Sequence, residues 1–315
     1  MSYKKMLPLV LAALLLWTVP ASAAPETTLK VALGDPEDSE MGVVGHAFKK
    51  YVEEKTGGKV EVQCFYGGSL GDESECFRNV QKGTLPLALG GIANLVPFEK
   101  KLGLLTLPYL FANIDEVVAG TNGAPAELLN KYATKAGFRV LTWTYTDFRY
   151  ISNSKHPIKA PADLKGLKMR TNGMKTIDLT FQALGATTTS IPYSDLYMGL
   201  KTGVADGQEN PWVNVDGMKF YEVQKYFTEV NYQFHPDPFY VNAAWWNGLP
   251  EEYRDIITEC ATKMGEYNDE LINKNSSAAK QTIVDSGCEV YEPSADELKA
   301  FQTAVQSVYD QCVTE

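Results

Sequence analysis

The sequence is poor in histidine and has no clustered metal ligands. Its histidines are His46, His156 and His235, and none lies with Cys, Asp or Glu at the spacing of a metal site. It also lacks a nucleophile elbow, a P-loop and the glycine pattern of a dinucleotide-binding turn. The sequence therefore predicts no metal, no cofactor and no catalytic centre.

Apolar runs long enough to span a membrane are absent as well. The longest run, residues 7–17, is well short of the roughly 20 residues that a transmembrane helix needs. It follows Lys4-Lys5 and precedes Ala21-Ser22-Ala23, which is the order of a secretory signal peptide. We expect residues 1–24 to be a signal peptide that is cleaved near Ala23, and the mature chain to be exported.

Positive charge is in short supply. Cleavage removes Lys4 and Lys5, which lowers the basic residues from 29 to 27 against 39 acidic residues. A net charge near −12 argues against nucleic acid and against anionic membrane surfaces as partners. It does not exclude an anionic ligand, because one or two buried arginines outweigh a distant surface field.

Cysteines are few, but in an exported chain they are candidates for disulfide bonds. Five cysteines suggest two disulfides and one unpaired thiol. Cys64 and Cys76 flank a glycine-rich loop, so we predict a local bridge between them. The pairing of Cys260, Cys288 and Cys312 stays open.

The order of elements predicts an α/β fold. The mature chain exceeds the size of one hydrophobic core, so two lobes are expected. Strand and helix patterns alternate from residue 28 onward, which favours parallel pairing. Residues 251–285 form one long amphipathic helical pattern without an internal proline.

The most specific motifs lie between residues 163 and 211. They read G-L-K-M-R at 166–170, L-G-A at 184–186, P-Y-S-D-L-Y-M-G-L at 192–200 and A-D-G-Q-E-N-P at 205–211. Together with L-P-Y-L-F at 107–111, this series resembles the solute-binding proteins of TRAP (tripartite ATP-independent periplasmic) transporters, in their dicarboxylate-type branch. In the last motif, Ala205 stands where the family has valine.

The resemblance implies a two-lobed periplasmic solute-binding protein fold, type II-like, in which each lobe is a mixed, mostly parallel sheet flanked by helices. It implies chain crossings near residues 147 and 235. Lobe I would comprise 25–146 plus 236–275, and lobe II 147–235 plus 276–315. The long helix at about 251–285 would brace both lobes.

The resemblance also implies a function. Such a protein captures a small organic acid (a dicarboxylate, a sugar acid or a hydroxy acid) and delivers it to a sodium-coupled TRAP membrane permease; we expect a monomer. Two alternatives are a periplasmic enzyme acting on acidic sugars or hydroxy acids and a binding protein of an ABC transporter. The enzyme would need a general acid or base such as Glu209, which strand alternation points away from the face of Asn210.

Two arginines are the expected anion-binding groups. Arg170 ends a short strand at the predicted interlobe crevice, and its planar fork matches a carboxylate edge. The alternative is a surface arginine, or one paired with a neighbouring aspartate. Arg149 matches a second arginine of the family that contacts the ligand, and its alternative is a salt bridge with Asp147.

The remaining candidates complete the pocket. Asn210 precedes a proline and can both donate and accept hydrogen bonds. The first lobe presents Gly90-Gly91 in place of larger side chains, which leaves two polar candidates, Asp35 and Asn94. Aromatic walls are expected from side chains near strand ends, although core packing is the alternative for each; they are Tyr145, Tyr193, Trp212 and Phe239.

Overall fold

The structure is a computed structural model, and it describes residues 24–313. The predicted signal peptide, residues 1–24, lies outside the described residues except for Ala24. Within residues 24–313, no helix combines the length and the apolar character needed to cross a membrane.

The described residues form strands that are three to seven residues long. In chain order they are β1 (Thr27–Leu33), β2 (Val60–Phe65), β3 (Leu87–Leu89), β4 (Phe138–Thr142), β5 (Tyr145–Phe148), β6 (Tyr150–Asn153), β7 (Lys168–Thr171), β8 (Thr187–Ser190), β9 (Gly207–Asn210), β10 (Tyr226–Thr228), β11 (Phe234–Pro236), β12 (Phe239–Asn242) and β13 (Glu289–Tyr291).

Helices alternate with these strands. They are α1 (Glu40–Lys55), α2 (Glu73–Lys82), α3 (Ile114–Thr121), α4 (Gly123–Lys135), α5 (Lys175–Ala183), α6 (Leu196–Lys201), α7 (Trp212–Gly217), α8 (Ala243–Gly248), α9 (Glu251–Asp285), α10 (Ala295–Ala304) and α11 (Gln306–Val313). Local capping explains several of the boundaries. Asp72 accepts a hydrogen bond from the amide of Glu75 at the start of α2, and Gly83 ends that helix in a left-handed conformation.

The first lobe is built on a five-stranded sheet in the order β2-β1-β3-β12-β4. β1 pairs in parallel with β2 and β3, which the crossover helices α1 and α2 permit, and β12 pairs antiparallel with β3 and β4. Alternate residues of β1 enter different cores: Val31 and Leu33 pack on one face of the sheet, and Ala32 packs on the other.

The second lobe has six strands in the order β13-β10-β6-β9-β7-β8. β6 is antiparallel to its neighbours β10 and β9, whereas β7 is parallel to β8 and β9. All residues of β6 and β9 are buried. The two mixed sheets with their flanking helices confirm the predicted two-lobed α/β fold. The exact lobe boundaries stay a prediction.

Helix α9 contacts both lobes, as predicted. Its N-terminal half, including Ile257 and Met264, packs into the core of the first lobe, and Ile272 and Ile283 pack into a core of the second. Between them Asn268 donates to the backbone carbonyl of Tyr145 at 2.7 Å, on strand β5. This strand pairs with β11 in a separate two-stranded ribbon between the lobes.

The predicted bridge between Cys64 and Cys76 is wrong, because both residues are thiols in the structure. Cys64 on β2 packs against the core on one face of the first sheet, whereas Cys76 on α2 lies in the core on the opposite face. Each thiol contacts a nearby backbone carbonyl, of Gly45 and Gly71 respectively. Proximity along the chain did not reveal that the sheet separates the two sulfurs.

We expect Gly207→Ala to destabilise the protein. A Cβ at Gly207 would lie 2.4 Å from the carbonyl oxygen of Ser152 and 2.8 Å from the sulfur of Met169, on the neighbouring strands. Such overpacking lowers the free energy of unfolding by about 1–3 kcal/mol. Urea unfolding of the mature protein measures the loss. The matched control is Gly248→Ala, where a Cβ meets nothing within 4 Å; equal losses in the two variants would contradict the packing argument.

Candidate functional site

A cavity lies between the two lobes, at the point where several strands end. The carboxyl ends of strands in α/β sheets are where such folds place their ligands. The first lobe contributes residues after β1 and β3 and at the start of α2, and the second contributes the ends of β7 and β9. The lining consists of Asp35, Met41, Glu73, Gly90, Gly91, Asn94, Thr146, Arg149, Arg170, Asn172, Tyr193, Asn210, Asn214 and Asp237.

Arg170 is the principal cation of this cavity. Its side chain is only 2% exposed, and its Nε donates to the carbonyl oxygen of Ile191 at 2.8 Å. Among the described residues, its two Nη groups make no hydrogen bond and no salt bridge. Burial lowers the pKa of Arg170 to about 10, so it stays charged at neutral pH. The structure thus places a fixed, charged fork at the cavity.

Arg149 is also buried, but its charge is already matched. Its guanidinium binds both carboxylate oxygens of Glu209, and Nη2 donates to Oδ1 of Asn210 at 2.8 Å. Tyr232 donates its hydroxyl to the same Glu209 at 2.6 Å. Burial, the largest single cause, would lower the pKa of Arg149, but the charge and hydrogen bonds of Glu209 together with the nearby Tyr232 and Asp237 outweigh it and raise that pKa. Asp147, the partner considered from sequence, instead accepts from Ser276.

Asn210 stands at the end of β9, where its side chain borders the cavity. Its Oδ1 accepts from Arg149, and its Nδ2 donates to Oε1 of Gln208. The amide is therefore held in one orientation by the protein, and one hydrogen of its NH₂ group is left for another acceptor.

The first-lobe side of the cavity and the ribbon of β5 and β11 carry carboxyl groups. Asp35 follows β1, Glu73 opens α2 and Asp237 follows β11. Asn94 donates to Glu73 at 3.1 Å. Burial, with the nearby charges of Glu73, Asp237 and Glu40, raises the pKa of Asp35 to about 8. Carboxyl groups of the first lobe and of the ribbon thus line the same cavity as Arg170.

Asn214 links the two sides of the cavity. Its Nδ2 donates to the hydroxyl of Tyr193 at 3.0 Å and reaches Oδ1 of Asp35 at 3.5 Å. With the amide fixed in this way, its Oδ1 is buried and receives no hydrogen bond from any of residues 24–313. Buried acceptors without a donor are rare and mark places where a ligand or water binds.

Three of the aromatic side chains that were predicted to line the pocket pack in hydrophobic clusters away from the cavity. The hydroxyl of Tyr145 is hydrogen-bonded to that of Thr121 at 2.6 Å, in a small cluster near the hinge. Trp212 stacks on Tyr150 with ring centroids 4.4 Å apart, and Phe239 lies in the core of the first lobe. The structure brings Asp35, Asn94, Arg149, Arg170, Tyr193 and Asn210 together at the cavity but not these three rings.

Sequence reasoning missed several lining residues. Glu73 and Asn214 lie in the first turn of α2 and α7, where a polar side chain is usually attributed to helix stability. Asn214 had a signal in its position, because α7 starts directly after β9 and Pro211, whereas residues 66–72 separate α2 from the strand before it. Asp237 and Asn172 come directly after β11 and β7, so their position was a signal as well. Within residues 24–313 no group of three or more His, Cys, Asp or Glu is arranged to hold a metal ion.

The sequence is similar to a described protein family and to several curated proteins. Residues 34–315 match the family described as bacterial extracellular solute-binding protein, family 7. A solute-binding protein of Verminephrobacter eiseniae is 34% identical over 279 residues, which cover 84% of this chain and 82% of the relative. The C4-dicarboxylate-binding periplasmic protein DctP of Vibrio cholerae is 30% identical over 268 residues, 85% of this chain and 80% of that protein.

Solved structures share the fold. A TRAP periplasmic solute-binding protein of Chromohalobacter salexigens with bound D-glucuronate is 29% identical, with a TM-score of 0.87 over 91% of this chain and 94% of that one. One from Polaromonas sp. JS666 bound to D-erythronate is 28% identical, with a TM-score of 0.88 over 92% and 95%. One from Sulfurospirillum deleyianum with bound succinate is 25% identical, with a TM-score of 0.87 over 91% and 94%.

The family match covers nearly all of the described chain, and the curated relatives are aligned over most of their own length. The family consists of solute-binding proteins of transport systems and not of enzymes. The chain therefore belongs to family 7 of the bacterial extracellular solute-binding proteins, the TRAP periplasmic receptors that include DctP.

Proposed function

We propose that this chain captures a small organic acid anion between its lobes by pairing a carboxylate with Arg170, and delivers it to a sodium-coupled TRAP permease. The observation that carries the proposal is the buried, charged fork of Arg170, oriented by Ile191 at the cavity. A bidentate carboxylate would satisfy its donors and offset its burial. D-glucuronate, D-erythronate and succinate, the acids in the related structures, define the range of candidate ligands.

The other candidate residues have different roles in the proposed binding mode. Arg149 positions Asn210, and both border the ligand's acid group. Tyr193, Asp35 and Asn94 face the rest of the ligand. For Tyr145, Trp212 and Phe239, contact with the ligand stays a prediction from sequence, because each packs in a hydrophobic cluster.

Closure of the lobes retains the ligand. The proposed rigid units are residues 25–146 plus 236–275 and residues 147–235 plus 276–315, moving about the ribbon of β5 and β11. Hydrogen bonds such as Thr106 to Thr176, at 2.7 Å between hydroxyl oxygens, cross between these units. The closed monomer, exported by its signal peptide, then presents both lobes to the permease.

The rival functions are less well supported. The enzyme is disfavoured because the family consists of solute-binding proteins, and Glu209, the acid or base considered from sequence, is held by Arg149 and Tyr232. An ABC-type receptor would bind its ligand by similar chemistry with a different permease. Reconstitution with TRAP or ABC permease subunits from the same genome, scored by uptake, separates these two.

Arg170→Lys should weaken binding at least about tenfold, because lysine keeps the charge but loses the planar pair of donors. The ligand is first chosen from organic acids by the thermal shift of ligand-free mature protein, and affinity is then measured by calorimetry. Arg78→Lys, an exposed position on α2, is the matched control. Unchanged affinity in a folded Arg170→Lys protein would sink the proposed role.

Arg149→Met should destabilise the folded protein. It leaves the carboxylate of Glu209 buried without its cation, and breaking a buried ion pair lowers the free energy of unfolding by about 3–5 kcal/mol. Adding Glu209→Met removes the orphaned charge, so the double variant should recover at least about 2 kcal/mol. Urea unfolding of the single and double variants checks this. A double variant no more stable than Arg149→Met would show that the pair does not act as a unit.

A further inference from the structure

A second and wider space adjoins the interlobe cavity. It is a groove with a volume of about 500 Å³, and residues that follow β3 and β7 line it. We name it the outer groove and define it by its apolar side chains, which are Ala93, Val96, Pro97, Leu104 and Met174. The first four follow β3 of the first sheet and Met174 follows β7 of the second, so the groove lies between the lobes.

The outer groove meets the cavity of Arg170 at several points of the chain. Asn94 and Asn172 line both spaces. Glu73 lines the cavity and the next residue, Ser74, lines the groove. Asn94 donates to Glu73 at 3.1 Å, and Asn172 accepts from a backbone amide at 3.2 Å, so both side chains are held in place. The two asparagines therefore border the passage from the cavity into the groove.

The cavity around Arg170 is small by comparison. Its volume is about 40 Å³, whereas one buried water molecule needs about 10–15 Å³ of such space. Another adjoining space, lined by Asp35 and Asn214 among others, adds only about 10 Å³. The outer groove alone has the size of a typical ligand pocket, which is about 300–1,000 Å³. When an acid group is on Arg170, the outer groove is therefore the adjoining space that has room for the bulk of a larger ligand.

The outer groove is present while the two lobes are in contact. The hydroxyls of Thr106 and Thr176 are hydrogen-bonded at 2.7 Å, and the hydroxyl of Thr106 also reaches the sulfur of Met174 at 2.9 Å. Thr176 and Met174 line the groove. A ligand tail in the groove therefore does not require the lobes to part, which is compatible with the proposed closure.

The lining of the outer groove favours an apolar tail. Leu104 is 44% exposed, and covering such apolar surface with an apolar ligand group removes it from water. Lys100 and Lys175 also line the groove and are exposed. Lysine stems pack along apolar surface while their charged ends stay in water. The lysines are therefore compatible with an apolar occupant.

We propose that the ligand is an amphiphilic monocarboxylate: its acid group pairs with Arg170, and an aryl or branched alkyl tail passes between Asn94 and Asn172 into the outer groove. This inference rests on the proposed function and extends its ligands beyond D-glucuronate, D-erythronate and succinate. Asn172 lies two residues after Arg170 at the end of β7, which is about 7 Å at the rise of a strand. A spacer of two or three methylene groups carries a ring over that distance.

Calorimetry on ligand-free mature protein tests the inference with acids that are matched in the length of the spacer. 3-Phenylpropionate is compared with propionate, 4-phenylbutyrate is compared with butyrate, and both phenyl acids are compared with succinate, D-erythronate and D-glucuronate. At least one phenyl acid should bind at least tenfold tighter than its matched alkanoate and tighter than each polar acid, because its ring is removed from water together with the groove lining.

Any other ranking of these acids overturns the inference. If a polar acid binds tightest, or if neither phenyl acid gains tenfold over its alkanoate, the inference fails while the receptor function stands. If none of these acids binds, a wider screen of organic acids decides. A ligand with an apolar group of at least four carbons supports the inference, a ligand without one overturns it, and the lack of any ligand overturns the proposed function as well.

Variants of Leu104 locate the tail of the ligand. Leu104→Ser should weaken binding of the phenyl acid at least threefold and leave binding of its alkanoate unchanged, whereas Leu104→Met should keep the original ratio of the two affinities. A general loss of structure would weaken both acids alike. The matched control is Leu110→Ser, at another exposed leucine that is not part of the groove lining, and it should leave the ratio unchanged. An unchanged ratio in Leu104→Ser would overturn the placement of the tail in the outer groove.

Discussion

The buried ion pair of Arg149 and Glu209 connects the strands and chain crossings that form the interlobe cavity. Arg149 lies where the chain passes from the ribbon between the lobes into the second sheet, and its backbone amide donates to the carbonyl of Gln233 on the returning segment. Glu209 lies on the central strand β9 and also receives the hydroxyl of Tyr232. Desolvating two charges is offset only by close, multiple hydrogen bonds, and these bonds tie both chain crossings to one strand.

The same ion pair also gives the two arginines different roles. Because Glu209 neutralises Arg149, the charge that reaches the cavity from the second lobe is mainly that of Arg170. The strand that carries Glu209 places Asn210 one residue further on, where Arg149 fixes its amide. In the proposed binding mode, this structural ion pair leaves one arginine for recognition, and the ligand's acid group would meet a single preset fork instead of two competing cations.

Local sequence patterns predicted the fold more completely than they predicted the residues that line the cavity. The bounds of α9, the cap at Asp72 and the strand end at Arg170 follow from patterns within a few residues. The aromatic walls did not: Trp212 and Phe239 have the same local signature as pocket residues, but only the packing of distant elements decides that they enter hydrophobic cores. Asp237 likewise reaches the cavity through the ribbon between the lobes, a contact that no periodicity encodes.

The hinge shows how the long helix is coupled to the crossing of the chain. Asp147 has a φ of 84°, in the left-handed region that non-glycine residues seldom adopt. Its carboxylate accepts from the amide of Phe148 and from the hydroxyl of Ser276, which lies on α9. Backbone strain of this kind persists only where surrounding contacts hold it. Because one of those contacts comes from α9, a rotation of the lobes about β5 must either carry the helix along or release the strained residue.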